Sequence, residues 1–166
     1  NLFLINIFDM QHCRAAIRIG PKSPEARVRA ASILQGMGKL KDALARCVEA
    51  IRIDPKSALA FEKKHEIELS LELKADSWKS LTKAMALAPR SASLHAKAAE
   101  VLKEMGYLKS ALKQCRTAIR LDPRSVTAYQ KQCSIQIRSF LKKQALGSLR
   151  KALALSPDDA AMHAGL

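Results

Sequence analysis

Four histidines (His12, His65, His95, His163) and four cysteines (Cys13, Cys47, Cys115, Cys133) are the side chains of this chain best suited to nucleophilic, acid–base or metal chemistry. Metal sites and catalytic pairs need such residues at short, characteristic spacings. Here they are scattered, and no GxSxG, HExxH or phosphate-binding glycine loop accompanies them. Gly36-Met37-Gly38 reads as a turn. Glu62, Glu66, Glu68 and Glu72 fall at helical spacing and could imitate a carboxylate site; a solvated acidic face is the simpler expectation. The chain is expected not to be an enzyme, and no cofactor or metal is implied.

The elements that would position any site are marked by proline. Pro21, Pro55, Pro89, Pro123 and Pro157 are each 34 residues apart, and only Pro24 falls outside the series. A fixed period of this length is the signature of a repeat architecture. Aligned on that proline, Ala16, Ala50, Ala84, Ala118 and Ala152 form an alanine column. Aliphatic columns accompany it, among them Ile17, Ile51, Met85, Ile119 and Leu153. Their offsets of three and four residues predict an amphipathic helix that the proline ends. An earlier helix is expected in each period, at roughly 25–36 and 93–104, with Gly38 and Gly106 turning into the second.

Each period is therefore a helix–turn–helix pair. Full repeats are expected at 24–57, 58–91, 92–125 and 126–159. Residues 1–23 would supply a second helix only, and 160–166 the start of a further first helix, as in a piece of a longer array. Repeats one and three share 16 of 34 residues, and repeats two and four share 12 of 34, which points to one duplicated double unit.

Composition agrees with an all-α fold. Hydrophobic residues are 48 % of the chain and aromatics 4 %. That is enough apolar material for a core and too few rings for an aromatic-rich β-fold. No apolar run is long enough to span a membrane. The apolar start, NLFLINIFDM, lacks the basic flank of a signal peptide. With 29 Lys and Arg against 15 Asp and Glu, the formal charge is +14.

Together, the period, the small residues Ala43, Ala111 and Ala145, the alanine column and the proline resemble the tetratricopeptide repeat family over nearly the whole chain. Pentatricopeptide repeats are a rival, but their usual period is 35. The sequence departs from the family at its tryptophan position (Arg27, Phe61, His95, Tyr129), its glycine position (Ala31, His65, Ala99, Cys133) and its tyrosine position (Leu34, Glu68, Leu102, Gln136). The resemblance implies a right-handed α-solenoid whose first helices line a concave groove that binds a peptide or protein. It also places Cys13, Cys47 and Cys115 in one interhelix column. Helices stacked about 8–10 Å apart leave such neighbours too distant for an unstrained disulfide. Reduced thiols, and a reducing intracellular compartment, are the expectation.

Family geometry also orients the charges. Arg29, Lys63, Lys97 and Lys131 stand 34 apart on the first helices, in the column the family turns to its groove. They would attract an extended acidic peptide, with Glu66, Leu69, Glu100, Gln130 and Ile137 beside them for specificity. The two-carboxylate clamp known in some relatives is absent, since its positions hold Val28 and Ser32, Glu62 and Glu66, or Ala96 and Glu100.

A second basic surface is expected on the convex side. Residues 105–157 hold eleven Lys or Arg and one acid, Asp122. Lys109, Lys113, Arg116, Arg120, Arg150 and Lys151 would project there and could meet RNA or a ribonucleoprotein, an anionic membrane or an acidic protein. Self-association through the apolar N-terminal helix or the open ends is a third expectation.

Overall fold

The computed structural model describes residues 23–156. Eight helices and no strand occur among them. They are α1 (Pro24–Gly36), α2 (Leu40–Ile53), α3 (Ala58–Ser70), α4 (Lys74–Leu87), α5 (Ala92–Glu104), α6 (Leu108–Leu121), α7 (Val126–Arg138) and α8 (Lys142–Leu155). The helices expected near 25–36 and 93–104 appear as α1 and α5. The chain divides into two compact units, one ending at Pro89 and the other starting at Arg90. The proposed half-repeat at 1–23, with Cys13, and the further helix at 160–166 lie outside the described residues apart from Ser23.

Local chemistry repeats with the period. Each first helix is capped by a serine, Ser23, Ser57, Ser91 or Ser125, whose hydroxyl accepts the backbone N–H of the residue three further on. Each first helix ends in a left-handed residue: Gly38, Glu72, Gly106 or Phe140, with φ of 73°, 61°, 83° and 58°. The next N–H then reaches back across the turn, as in Tyr107 to the Leu102 carbonyl at 2.8 Å and Leu141 to the Gln136 carbonyl at 2.8 Å. Second helices stop at Ile53, Leu87, Leu121 and Leu155, two residues before each periodic proline.

Small residues let the helices approach. Ala50, Ala84, Ala118 and Ala152 are fully buried, as are Ala43 and Ala111. In the first unit Ala31, Leu34, Cys47 and Ile67 build the core between α1, α2 and α3. In the second unit Tyr129 and Ala152 pack with Ile119 and Leu153 across α6, α7 and α8. The expected helix-spaced stripe is incomplete at its end: Leu146 and Leu155 on α8 are exposed.

Candidate binding faces

On each first helix, positions spaced by four, three and four residues share one face; they are exposed on α1 and half-buried at Lys63, Lys97 and Lys131 on the others. On α1 these are Glu25, Arg29, Ser32 and Gly36, all exposed. The corresponding positions carry the cation column on α3, α5 and α7.

In the first unit Arg29 is exposed on α1, while Lys63 pairs with Glu66 one turn along α3. Gln35 on α1 donates to the Ser70 hydroxyl of α3 at 3.4 Å, so the two first helices lie side by side. Leu69 is exposed next to Ser70.

The second unit builds a longer network. Lys131 on α7 donates to Glu100 on α5 at 3.0 Å, and Lys103 pairs with the other oxygen of Glu100. Lys103 also approaches Glu104 at 3.5 Å, and Arg138 on α7 reaches Glu104 at 3.8 Å. Partial burial works against ionisation of Glu100. The two ammonium groups outweigh it and hold its carboxyl below the ordinary value. Lys97 and Gln130 are half-buried on the same helices, and Ile137 is exposed. Glu66 and Glu100, expected beside the cations, are thus the partners of Lys63 and Lys131.

The second basic surface is formed by side chains open to solvent. Lys109, Lys113, Arg116 and Arg120 are exposed along α6, and Arg150 and Lys151 along α8. The Lys151 ammonium lies 5.8 Å from the centre of the Tyr129 ring.

The acidic cluster departs from the sequence expectation at two residues: Glu72 lies beyond the end of α3 in the left-handed turn, and Glu68 is closed off. Glu68 is buried, because α4 covers it: Ser80 donates to it at 2.6 Å and Lys64 at 2.6 Å. Next to it the buried His65 pairs through Nδ1 with the Ser77 hydroxyl at 2.8 Å. The second unit repeats the arrangement without charge, since Ser148 donates to Gln136 at 2.7 Å and to Gln132 at 3.2 Å. Lys64, Glu68 and Ser80 stand 68 residues before Gln132, Gln136 and Ser148. The double-unit period was the signal for this pairing. These groups are interhelix ties, with Glu68, Ser80, Gln136 and Ser148 buried.

Cys47, Cys115 and Cys133 are free and buried. Burial pushes the Cys47 thiol up to about 12 and the Cys115 thiol up to about 11, and it raises Cys133 as well. Among the described residues no group of His, Cys, Asp and Glu is placed to hold a metal ion. No described helix is long and apolar enough to cross a membrane.

Residues 92–125, the third repeat, match the tetratricopeptide repeat family. No curated protein matches the chain. Among solved structures, the chain is similar to TTC0263, a tetratricopeptide-repeat protein of Thermus thermophilus. Identity is 19 %, coverage is 99 % of this chain and 91 % of that one, and the TM-score is 0.81. It is similar to MamA at 20 % identity, covering 92 % and 89 %, with a TM-score of 0.78. It also resembles YrrB, a tetratricopeptide-repeat protein with an unusual peptide-binding site, at 18 % identity over 92 % and 96 %, with a TM-score of 0.53. The fold is an all-α solenoid of tetratricopeptide repeats.

Proposed function

We propose that this tetratricopeptide-repeat protein is a non-enzymatic interaction scaffold that holds an extended acidic segment of a partner protein against its first-helix faces. Arg29 and Lys63 are the charge anchors of the first unit, and Lys97 and Lys131 those of the second. The observation that carries the reading is the Lys131–Glu100–Lys103 network. Two ammonium groups from adjacent helices share one carboxylate that is only partly buried. A carboxylate of the partner can take the same place without any rearrangement of backbone, because the helices are already packed. In the second unit Lys103, Lys131 and Arg138 face Glu100 and Glu104, which leaves one positive charge in surplus. In the first unit Lys63 is matched by Glu66 and Arg29 stands exposed. Ile137, exposed beside Arg138, favours an aliphatic or aromatic side chain among the partner's acids.

A second reading rests on the exposed cations of α6 and α8, which would contact RNA or a ribonucleoprotein. A pull-down from lysate, run with and without nuclease at two salt concentrations, separates the two. A discrete protein retained after nuclease, and lost when Lys63, Lys97 and Lys131 are changed to Glu, supports the scaffold. An eluate emptied by nuclease and indifferent to those changes supports the ribonucleoprotein. The N-terminal helix proposed for self-association lies outside the described residues.

A further inference from the structure

The turn between α7 and α8 carries Phe140 with 87 % of its surface exposed, at φ 58°. An L-residue pays a local conformational penalty in that region, and repeats one and three place Gly38 and Gly106 there. A large apolar ring held out to water on such a backbone has no part in the core. Ile137, 60 % exposed, and Leu141 flank it. The neighbouring α5–α6 turn of the same unit presents Tyr107, 58 % exposed, and Met105. The contact of Arg138 with Glu104 joins the C-terminal ends of α5 and α7, so both turns leave from one edge of the unit.

Charge at this edge is predominantly positive, with Glu104 the acid that meets Arg138. From Pro123 to Ser156 the chain contains no Asp or Glu and seven Lys or Arg. Arg138, Lys142 and Lys143, all exposed, flank Phe140 along the chain. We propose that this edge docks on an anionic lipid surface, with Phe140 inserted among the acyl chains and Lys142 and Lys143 against the headgroups. The apolar side chains stand on two turn tips and not along a strip, so they offer points of insertion and no face on which a partner helix could lie. A fluid surface accepts such points anywhere, whereas a folded partner needs a matched pocket for each. Flexible, strongly hydrated lysines suit a diffuse anionic plane. Tyr107 has the amphipathic ring favoured at the headgroup level. Binding of this kind lies on the membrane and needs no spanning helix.

The test is co-sedimentation of the full chain with phosphatidylcholine vesicles, with and without phosphatidylserine. Wild type is expected to pellet only with the anionic vesicles. Phe140→Gly puts at this turn the residue that repeats one and three use, so the fold is retained; thermal unfolding followed by circular dichroism verifies this. That variant is expected to weaken partition roughly tenfold. Changing Lys142 and Lys143 to Ser should weaken it by tenfold or more. Lys131→Glu, which strikes the acidic-segment site, should retain the Phe140 dependence. No binding by the wild type overturns the proposal, and so does equal binding by wild type and Phe140→Gly. Phe140-dependent binding of polyglutamate without any vesicle binding assigns the edge to an acidic protein instead, and overturns it too.

Discussion

The Lys131 ammonium on α7 donates to the Glu100 carboxylate on α5 at 3.0 Å, and this contact bridges the first helices of two successive repeats. It ties stability and binding to the same pair of side chains. Lys103 contacts Glu100 as well, so the carboxylate is a shared counter-ion and the two cations are held at a fixed separation.

Replacing Glu100 by Gln should therefore act in opposite directions on the two properties. The network is half-exposed, so the loss of stability is small, about 0.5–1 kcal/mol in thermal or urea unfolding. Affinity for an acidic peptide should rise, because Lys131 loses its internal counter-ion and Lys103 keeps only Glu104. The pH dependence follows from the lowered value of Glu100. Its contribution is present above its ordinary value of 4.5 and is lost as pH falls through the lower native value. Urea midpoints measured down to acid pH should show a smaller acid loss in Glu100→Gln.

The tie between α3 and α4 tolerates loss of charge better than loss of a partner. Glu68→Ala leaves Lys64 and Ser80 without their acceptor, and should destabilise by about 2–3 kcal/mol. Changing Lys64 and Glu68 together to Gln reproduces the trio found at Gln132, Gln136 and Ser148. That double variant should remain within about 1 kcal/mol of wild type. Urea unfolding of the single and double variants is the measurement, and equal losses would refute the equivalence of the two networks.

Cys47 and Cys115 should be silent toward a thiol reagent in the native protein, since burial keeps them protonated. Their stability effect lies on the alkaline side. A thiol with a raised native value leaves stability intact below its ordinary 9.0, and stability falls as pH rises toward about 11 and about 12. Labelling with a chromogenic disulfide reagent should track global unfolding. Cys47→Ala should flatten the alkaline fall, while lowering stability at neutral pH through the cavity it leaves.

The left-handed turn residues make a simpler prediction. Glu72→Gly and Phe140→Gly should each stabilise the chain by about 1 kcal/mol, because glycine adopts a positive φ without the Cβ clash. Glycine also frees the unfolded chain, which reduces the gain. A rise in the melting temperature of either variant verifies this; a fall means that the side chain makes contacts that outweigh the backbone penalty.

Proline spacing made the ends of the second helices legible, because a residue that ends a helix recurs every 34 positions. The alanine column announced the interhelix contacts, since only a small side chain permits close approach. Each first helix also begins at a serine cap, Ser23, Ser57, Ser91 or Ser125, a column as regular as the prolines and readable with them. The status of Glu68 was not legible from helical spacing alone. A glutamate at position i says nothing about the serine 12 residues on that folds back over it. The exposure of Phe140 was hidden for a similar reason: apolar residues near a helix end read as core until the turn is placed. The cation column was legible, but its pairing with Glu66 and Glu100 depends on side-chain reach within and between helices.

Fluorescence anisotropy of a labelled polyglutamate peptide, titrated with the full chain at two salt concentrations, tests the scaffold most directly. Wild type should bind more tightly at low salt. Lys131→Glu should weaken binding at least tenfold, while Arg116→Glu with Arg120→Glu on α6 leaves it within about twofold. The opposite ranking, with the α6 changes abolishing binding and Lys131→Glu without effect, would contradict the account and move the binding surface to the second helices.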